Sequence, residues 1–457
     1  GSSVPWVHPR GQSSVISSRS GNASIRCSGW TWASPKERMP GVSTIARAVD
    51  SSLDAMYRNE VSRTATQDAM ATGLSPYTAI LGDSESSDTI LTRLTEFQNA
   101  LDLVSVAPSD ASLQRSAVDG AQGLALALNR AGRALADTAK DTAAAIGADV
   151  DALNASLTRL QGLNERIAGG LEGEARLALE DQITAELDAL AEITDFTLRK
   201  DTDGQVALFT TGGTALLSDN LRQPLRFEPT TGTLYAGEIE ITPGKTGVRG
   251  ISEGALAGRI TLYSETLPEM QAQLDEVARA LIEGMAGADP SLAPGEAGLF
   301  TDAGQAFDPV NETGLARRIA LNPQVDPEAG GASWRLRDGL QAAAPGNSGD
   351  GTVLLSMIDR LAEARPVASG SQIGLSGTAA SLTATLLSGV AADLTGNEDR
   401  LSYAAARSAE LTEQKLRSGV DTDTELQKLM QIEKAYAANA QVLRTVDEMI
   451  EVLLGAT

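Results

Sequence analysis

One cysteine and one histidine in 457 residues set the first limits. A single thiol excludes a disulfide framework within the chain, and no Cys/His zinc site can be assembled. Nucleophilic catalysis with a histidine base would have to use His8, which lies in an atypical leading segment. Aromatic residues make up only 4% of the chain, so its folded parts must rest on contacts among small and medium aliphatic side chains. Basic residues are also short: 37 against 60 acidic, a net charge of −23. That argues against nucleic acid as a partner, because phosphate backbones need clustered Lys and Arg. No apolar run reaches the roughly 18 residues of a spanning helix, so no membrane partner is expected. Carboxylates are abundant, but no spacing singles out a catalytic pair. "DTDG" (201–204) and "DTDTE" (421–425) lack the Gly and Glu positions of a calcium-binding EF-hand loop and read as turn and cap. Neither a P-loop nor a dinucleotide-binding fingerprint is present. The residues imply no catalytic site, no cofactor and no metal, and so no enzyme.

What is present is helix. The end of the chain, "LMQIEKAYAANAQVLRTVDEMIEVLLGAT", places Leu429, Ile432, Tyr436, Ala440, Leu443, Val446, Ile450 and Leu453 at steps of three and four. Their mean step is closer to the coiled-coil value of about 3.5 than to about 3.6 for a straight helix. Thr422 and Glu425 have capping-box spacing, and Gly419 suits the end of the preceding helix. The stripe is read as an assembly interface, a seam for other helices in this chain or another. Burying its eight side chains would contribute about 10–20 kcal/mol gross, before the entropy of ordering.

The expected fold class is mainly α with an inserted small β-domain. Long helices from the N- and C-terminal parts should pack together as a bundle or coiled-coil stem. Residues 1–41 are an atypical segment, disordered or artefactual. The first forty hold three of the four tryptophans and five basic residues against Glu37 alone. Residues 42–195 form the N-terminal part of the stem. A first helix is expected from about Asp50 to Leu81, a second capped by Ser87 or Asp88, and a very long third capped by Ser109 or Asp110. The third carries Leu113, Leu124, Leu128, Leu135, Ile146, Val150, Leu153, Leu157, Leu160 and Ile167, with a possible bend at Gly147. Residues 196–252 alternate and carry hairpin signals at Asp203-Gly204 and Thr231-Gly232, giving the inserted β-domain. A helix returns to the stem over 253–287, with a kink or start near Thr266 because Pro268 interrupts its pattern. Residues 288–371 are irregular and rich in Gly and Pro, with short helices. The C-terminal part of the stem spans 372–418, on Leu382, Leu387, Leu394 and Leu401, and 419–457 is the terminal assembly helix.

The segment "SGVDTDTELQKLMQIEKAYAANAQVLRTVDEMIEVLLG" resembles the C-terminal signature of bacterial flagellar axial proteins. Gly419, Val420, Asp421, Glu425, Ala435, Tyr436, Ala438, Asn439, Ala440, Val442 and Leu453 carry the likeness. Residues 80–129, 187–196 and 254–282 are similar to the helical parts of those family members that join hook to filament. The family opens on an apolar heptad helix and an Asn-rich stretch, and residues 1–40 contain neither. The resemblance implies a structural adaptor that self-assembles through its terminal helices. Its implied partners are its own copies, the hook protein, the neighbouring junction protein and an export chaperone on the C-terminal helix. The implied location is the extracellular flagellum, reached through the flagellar type III apparatus. The alternatives are another axial subunit, a second junction protein or flagellin-like chain, and a carboxylate-based glycan hydrolase on a flagellar scaffold.

Overall fold

A computed structural model describes residues 42–82, 89–170, 172–367, 371, 373–418, 434 and 441. The chain divides into two units, Gly1–Ala48 and Val49–Thr457. Of the first, only the opening turns of helix α1 (Val42–Leu81) are described, and everything below concerns the second.

The longest helix organises that second unit. Helix α3 (Ala111–Ala168) runs unbroken for 58 residues. It starts where the carboxylate of Asp110 accepts the N–H groups of Ser112 and Leu113, and it stops where the Gly169 N–H returns to the Glu165 carbonyl. Between those caps its apolar residues recur at three and four, and Leu124, Leu128, Leu135, Ile146, Leu153, Leu157 and Leu160 are fully buried. Each such burial stabilises the fold by about 1.5–3 kcal/mol.

The two halves of α3 serve different cores. The buried residues of the first core come from 74–135 and again from 262–390. It joins the end of α1, α2 (Ile90–Val106), the N-terminal half of α3, α6 (Leu267–Ala286), α9 (Thr352–Ala362) and the start of α10 (Ala379–Ser418). The buried residues of the second core come from 146–260. It joins the C-terminal half of α3, α4 (Glu174–Ile193), α5 (Ala255–Thr261) and the strands. One core is thus nested within the sequence of the other. Helix α3 leads into it and α5–α6 leads out.

The strands form two antiparallel sheets. One has four strands, β1 (Thr197–Lys200), β2 (Val206–Phe209), β3 (Ala215–Ser218) and β4 (Leu221–Arg222), paired in sequence order. The other has three, β5 (Leu225–Glu228), β6 (Thr233–Ala236) and β7 (Ile239–Glu240). Alternation works as a half-buried strand requires: Val206 and Leu208 are buried, Ala207 and Phe209 only partly. Asp201 makes the first hairpin turn, its carboxylate accepting the N–H groups of Asp203 and Gln205, while Gly204 takes φ 93°. The acidic "DTDG" is therefore a turn former.

Two asparagines of α3 fix the sheets to the helix. Asn164 accepts the Val206 N–H at 2.9 Å and donates to the Val206 carbonyl at 2.8 Å. Asn154 does the same for Leu225, both bonds 2.9 Å. The helix that leaves the second core contains one π-helical turn, Leu262–Thr266, between α5 and α6. Pro268 follows in the first turn of α6. Proline cannot donate to the preceding turn and its ring crowds the carbonyl four residues back, so the wider turn lets the chain continue as helix.

The Gly- and Pro-rich stretch from 288 holds short elements, among them β8 (Phe300–Asp302), α7 (Leu315–Arg318), β9 (Ile319–Leu321) and α8 (Arg335–Asp338). Strands β10 (Arg365–Pro366) and β11 (Ser376–Gly377) pair just before α10. Side chains from the long helices hold this stretch. Asp275 of α6 accepts the N–H groups of Gly314 and Ala316 at 2.7 and 2.8 Å. Asn129 of α3 donates to the carbonyls of Ala316 and Ile319. Phe300 meets Phe97 of α2 edge to face at 5.8 Å. The result is a mainly helical protein with small antiparallel sheets inserted among long helices, as the patterning implies.

Candidate assembly surface

The eight stripe residues, Leu429, Ile432, Tyr436, Ala440, Leu443, Val446, Ile450 and Leu453, lie outside the described residues. In their segment only Lys434 and Gln441 are described; both are helical and exposed, and both lie off the stripe. The surface that can be built from described residues is the stem leading to it.

That stem pairs α1 with α10, antiparallel. Asp54 lies by Lys415, Glu60 by Arg407 and Gln67 by Asn397, so positions rise along one helix as they fall along the other. Helix α10 presents Val390, Leu394, Asn397, Leu401, Ala404, Ser408, Leu411 and Lys415 inward, buried or half-buried, at alternating steps of four and three. This is a heptad seam. Leu394 and Leu401 belong to the expected leucine pattern. Asn397, Ala404 and Ser408 do not, because a pattern of large apolar residues passes over small and polar ones.

The seam is polar at intervals. Asn397 is 3% exposed, and its Nδ2 donates to the Gln67 carbonyl at 2.9 Å. Its Oδ1 and the Oε1 of Gln67 are both buried without a partner. Further along, Arg407 and Arg63 both reach Oε1 of the buried Glu60 at 2.9 Å. Near the end of α10, Lys415 bridges Asp54 of α1 and Asp188 of α4, each at 3.0 Å, above the ring of Tyr57. Arg58 reaches the other oxygen of Asp188 at 2.7 Å. Burial pulls the Lys415 ammonium down, but its hydrogen bonds and charge pairs with Asp188 and Asp54 outweigh that and hold it above the ordinary lysine value.

On the opposite side α1 crosses the second core closely. Ser62 donates to the Ala191 carbonyl at 2.6 Å, and Gly254 donates to Ser62 and Thr66. A Cβ at Gly258 would stand 2.5 Å from the Thr66 carbonyl oxygen, so only glycine fits there. The outward face of the stem carries exposed Met56, Tyr403 and Leu416, the last 72% exposed.

Nothing in this arrangement has the form of a reaction centre. Among the described residues no group of three His, Cys, Asp or Glu side chains could hold a metal. No described helix is long and apolar enough to cross a membrane.

Residues 76–288 match the family described as the flagellar hook-associated protein FlgK helical domain. Residues 416–456 match the flagellar basal body rod FlgEFG protein C-terminal family. A helical domain of the first kind followed by a terminus of the second defines a class, the axial subunits of the bacterial flagellum. Within that class, the match over 76–288 makes the chain similar to FlgK, hook-associated protein 1. The solved structure of the flagellar hook junction protein FlgK from Burkholderia pseudomallei is similar over 54% of this chain, at 20% identity and a TM-score of 0.45. The similarity spans 46% of that protein's own length. No curated protein matches the chain.

Proposed function

We propose that the chain is a structural adaptor of the flagellum that joins hook to filament, with no catalytic role. The observation that carries this reading is the match of 416–456 to an axial C-terminal family, because that segment contains all eight stripe residues. The stem supports it: α10 runs into that segment, and the α1–α10 pair that carries it is anchored on two cores. Assembly then proceeds by helix packing with other copies of this chain, with the hook protein below and with the neighbouring junction protein above. An export chaperone covers the terminal helix beforehand. The subunit works outside the cell, after passage through the flagellar type III apparatus.

The test is complementation of a strain that lacks its own hook-associated protein 1. Supplied there, the chain should restore attached filaments. Leu443→Asp with Ile450→Asp should abolish attachment and leave filament protein shed into the medium, because an unpaired buried charge costs several kcal/mol. Filaments that stay attached with both aspartates in place would refute the stripe as the interface.

A further inference from the structure

Helix α10 is held in two different ways along its length. Its first turns sit in the first core, where Ala379, Leu382, Leu386 and Val390 are all buried. Over 397–417 the buried side chains among the described residues are Asn397, Ala404 and Leu411. Two of these three contribute little apolar area, one being an amide and one a single methyl. What crosses from this part of α10 to α1 and α4 is mostly charge. Arg407 reaches Glu60, and Lys415 reaches Asp54 and Asp188. At the root of the same stretch, the amide oxygens of Asn397 and Gln67 are buried without partners. Closure therefore costs two desolvated acceptors that water would satisfy on opening.

We infer that residues 397–418 act as an ionic strap. This part of α10 closes on α1 and α4 through Arg407 and Lys415, and it opens as a unit while the first core stays folded. Charge pairs near a surface weaken as salt screens them, whereas apolar burial does not. The strap should therefore loosen with ionic strength, and the turns over Leu382 and Leu386 should not. Residue 418 adjoins the terminal segment in sequence, so opening frees the end of α10 from which that segment continues. The inference goes beyond the junction role and does not rest on it.

Amide hydrogen exchange on the full chain decides the matter. Between about 0.05 and 1 M sodium chloride, exchange over 400–418 should rise on the order of ten-fold, while 379–392 keeps its rate. Lys415→Glu sets a third acid against Asp54 and Asp188. It should give the fast exchange already at low salt and remove most of the salt response. Lys415→Arg keeps the charge and should restore slow, salt-sensitive exchange. Circular dichroism and the melting temperature of each variant identify any that fails to fold. If 400–418 exchanges at one rate in both salts and in Lys415→Glu, the strap is refuted. It is equally refuted if 400–418 and 379–392 change together, since the helix then opens as a whole. Either result leaves the attachment test above untouched.

Discussion

Asp275 in the first core and Asn154 and Asn164 in the second hold irregular backbone by different chemistry. In the first, the turn that begins α7 presents two N–H groups, those of Gly314 and Ala316. Helix α6 answers with a carboxylate, Asp275, which accepts both, while Asn129 of α3 donates to the carbonyls of Ala316 and Ile319. In the second, the parts that need holding are strand residues, which present one N–H and one carbonyl. Helix α3 answers with asparagines at 154 and 164, each donating one bond and accepting one. A carboxylate has only acceptors, whereas an amide has one of each. Residue choice at Asp275, Asn154 and Asn164 thus follows the partner's backbone polarity, and Asp and Asn are not interchangeable at these points.

The largest expected effect tests the carboxylate side. Asp275→Ala leaves two buried N–H groups without acceptors and should cost about 3–5 kcal/mol, read by denaturant unfolding. Exchange should accelerate over 312–321 and stay slow over 206–217. A loss below about 1 kcal/mol would remove Asp275 from the comparison. On the amide side, Asn164→Ala orphans both backbone groups of Val206 and should cost about 2–3 kcal/mol. Here the sheet should loosen and 312–321 should not. Asn154→Ala, at a less enclosed point, should cost about 1–2 kcal/mol by the same measurement.

A pH series sharpens the carboxylate case. Burial raises the Asp275 carboxyl above its ordinary value, against the lowering effect of its bonds from Ala316, Gly314 and Gln271. The folded state therefore binds this proton more tightly than the unfolded state. Its contribution to stability is greatest below the unfolded pKa, about 3.9, and falls as pH rises through the folded value. Asp275→Asn lacks that dependence. The stability gap between parent and variant should narrow as pH rises through this window, and a gap that widens would show the sign to be wrong. The smallest effect belongs to a surface pair between α3 and α4. Arg159 reaches Glu186 at 2.7 Å with its side chain 54% exposed, and Arg159→Ala should cost only about 0.2–1 kcal/mol.

Much of the helical frame was legible because it follows a period. Of the ten apolar positions expected on α3, only Leu113 escapes burial. Helix α9 falls within the expected 352–364, and Pro268 correctly marks an irregularity, though the π-helical turn lies just ahead of it. Helix α1 begins at Val42, ahead of the expected Asp50, because eight residues of weak pattern still have helical propensity. Thr89 caps α2, its hydroxyl accepting the Thr92 N–H, whereas Ser87 and Asp88 lie outside the described residues. Gly147 leaves α3 unbroken.

What could not be read is whatever depends on partners far away in sequence. Asp188 and Lys415 are 227 residues apart, and Asn397 and Gln67 are 330 apart. No local spacing foretells such pairs. The same holds for Asn154 and Asn164, which look like ordinary polar positions on a helix until the strands arrive. Of the candidate surface, the terminal stripe is an expectation from periodicity and lies outside the described residues. The charged closure of the stem that leads to it was not legible in the sequence.

The nesting of one core inside the other also sets an order of events for a chain made from its N-terminus. Every buried residue of the second core is present once residue 260 has been added. The first core has by then received α2 and half of α3, but must wait for residues up to 390 before it can close. Contacts near in sequence form sooner, since less chain entropy is lost in closing their loops. The β-bearing core should therefore be the earlier folding unit, with the exposed N-terminal half of α3 waiting beside it. Pulse-labelled exchange during refolding would show this as protection over 146–260 before any over 90–135.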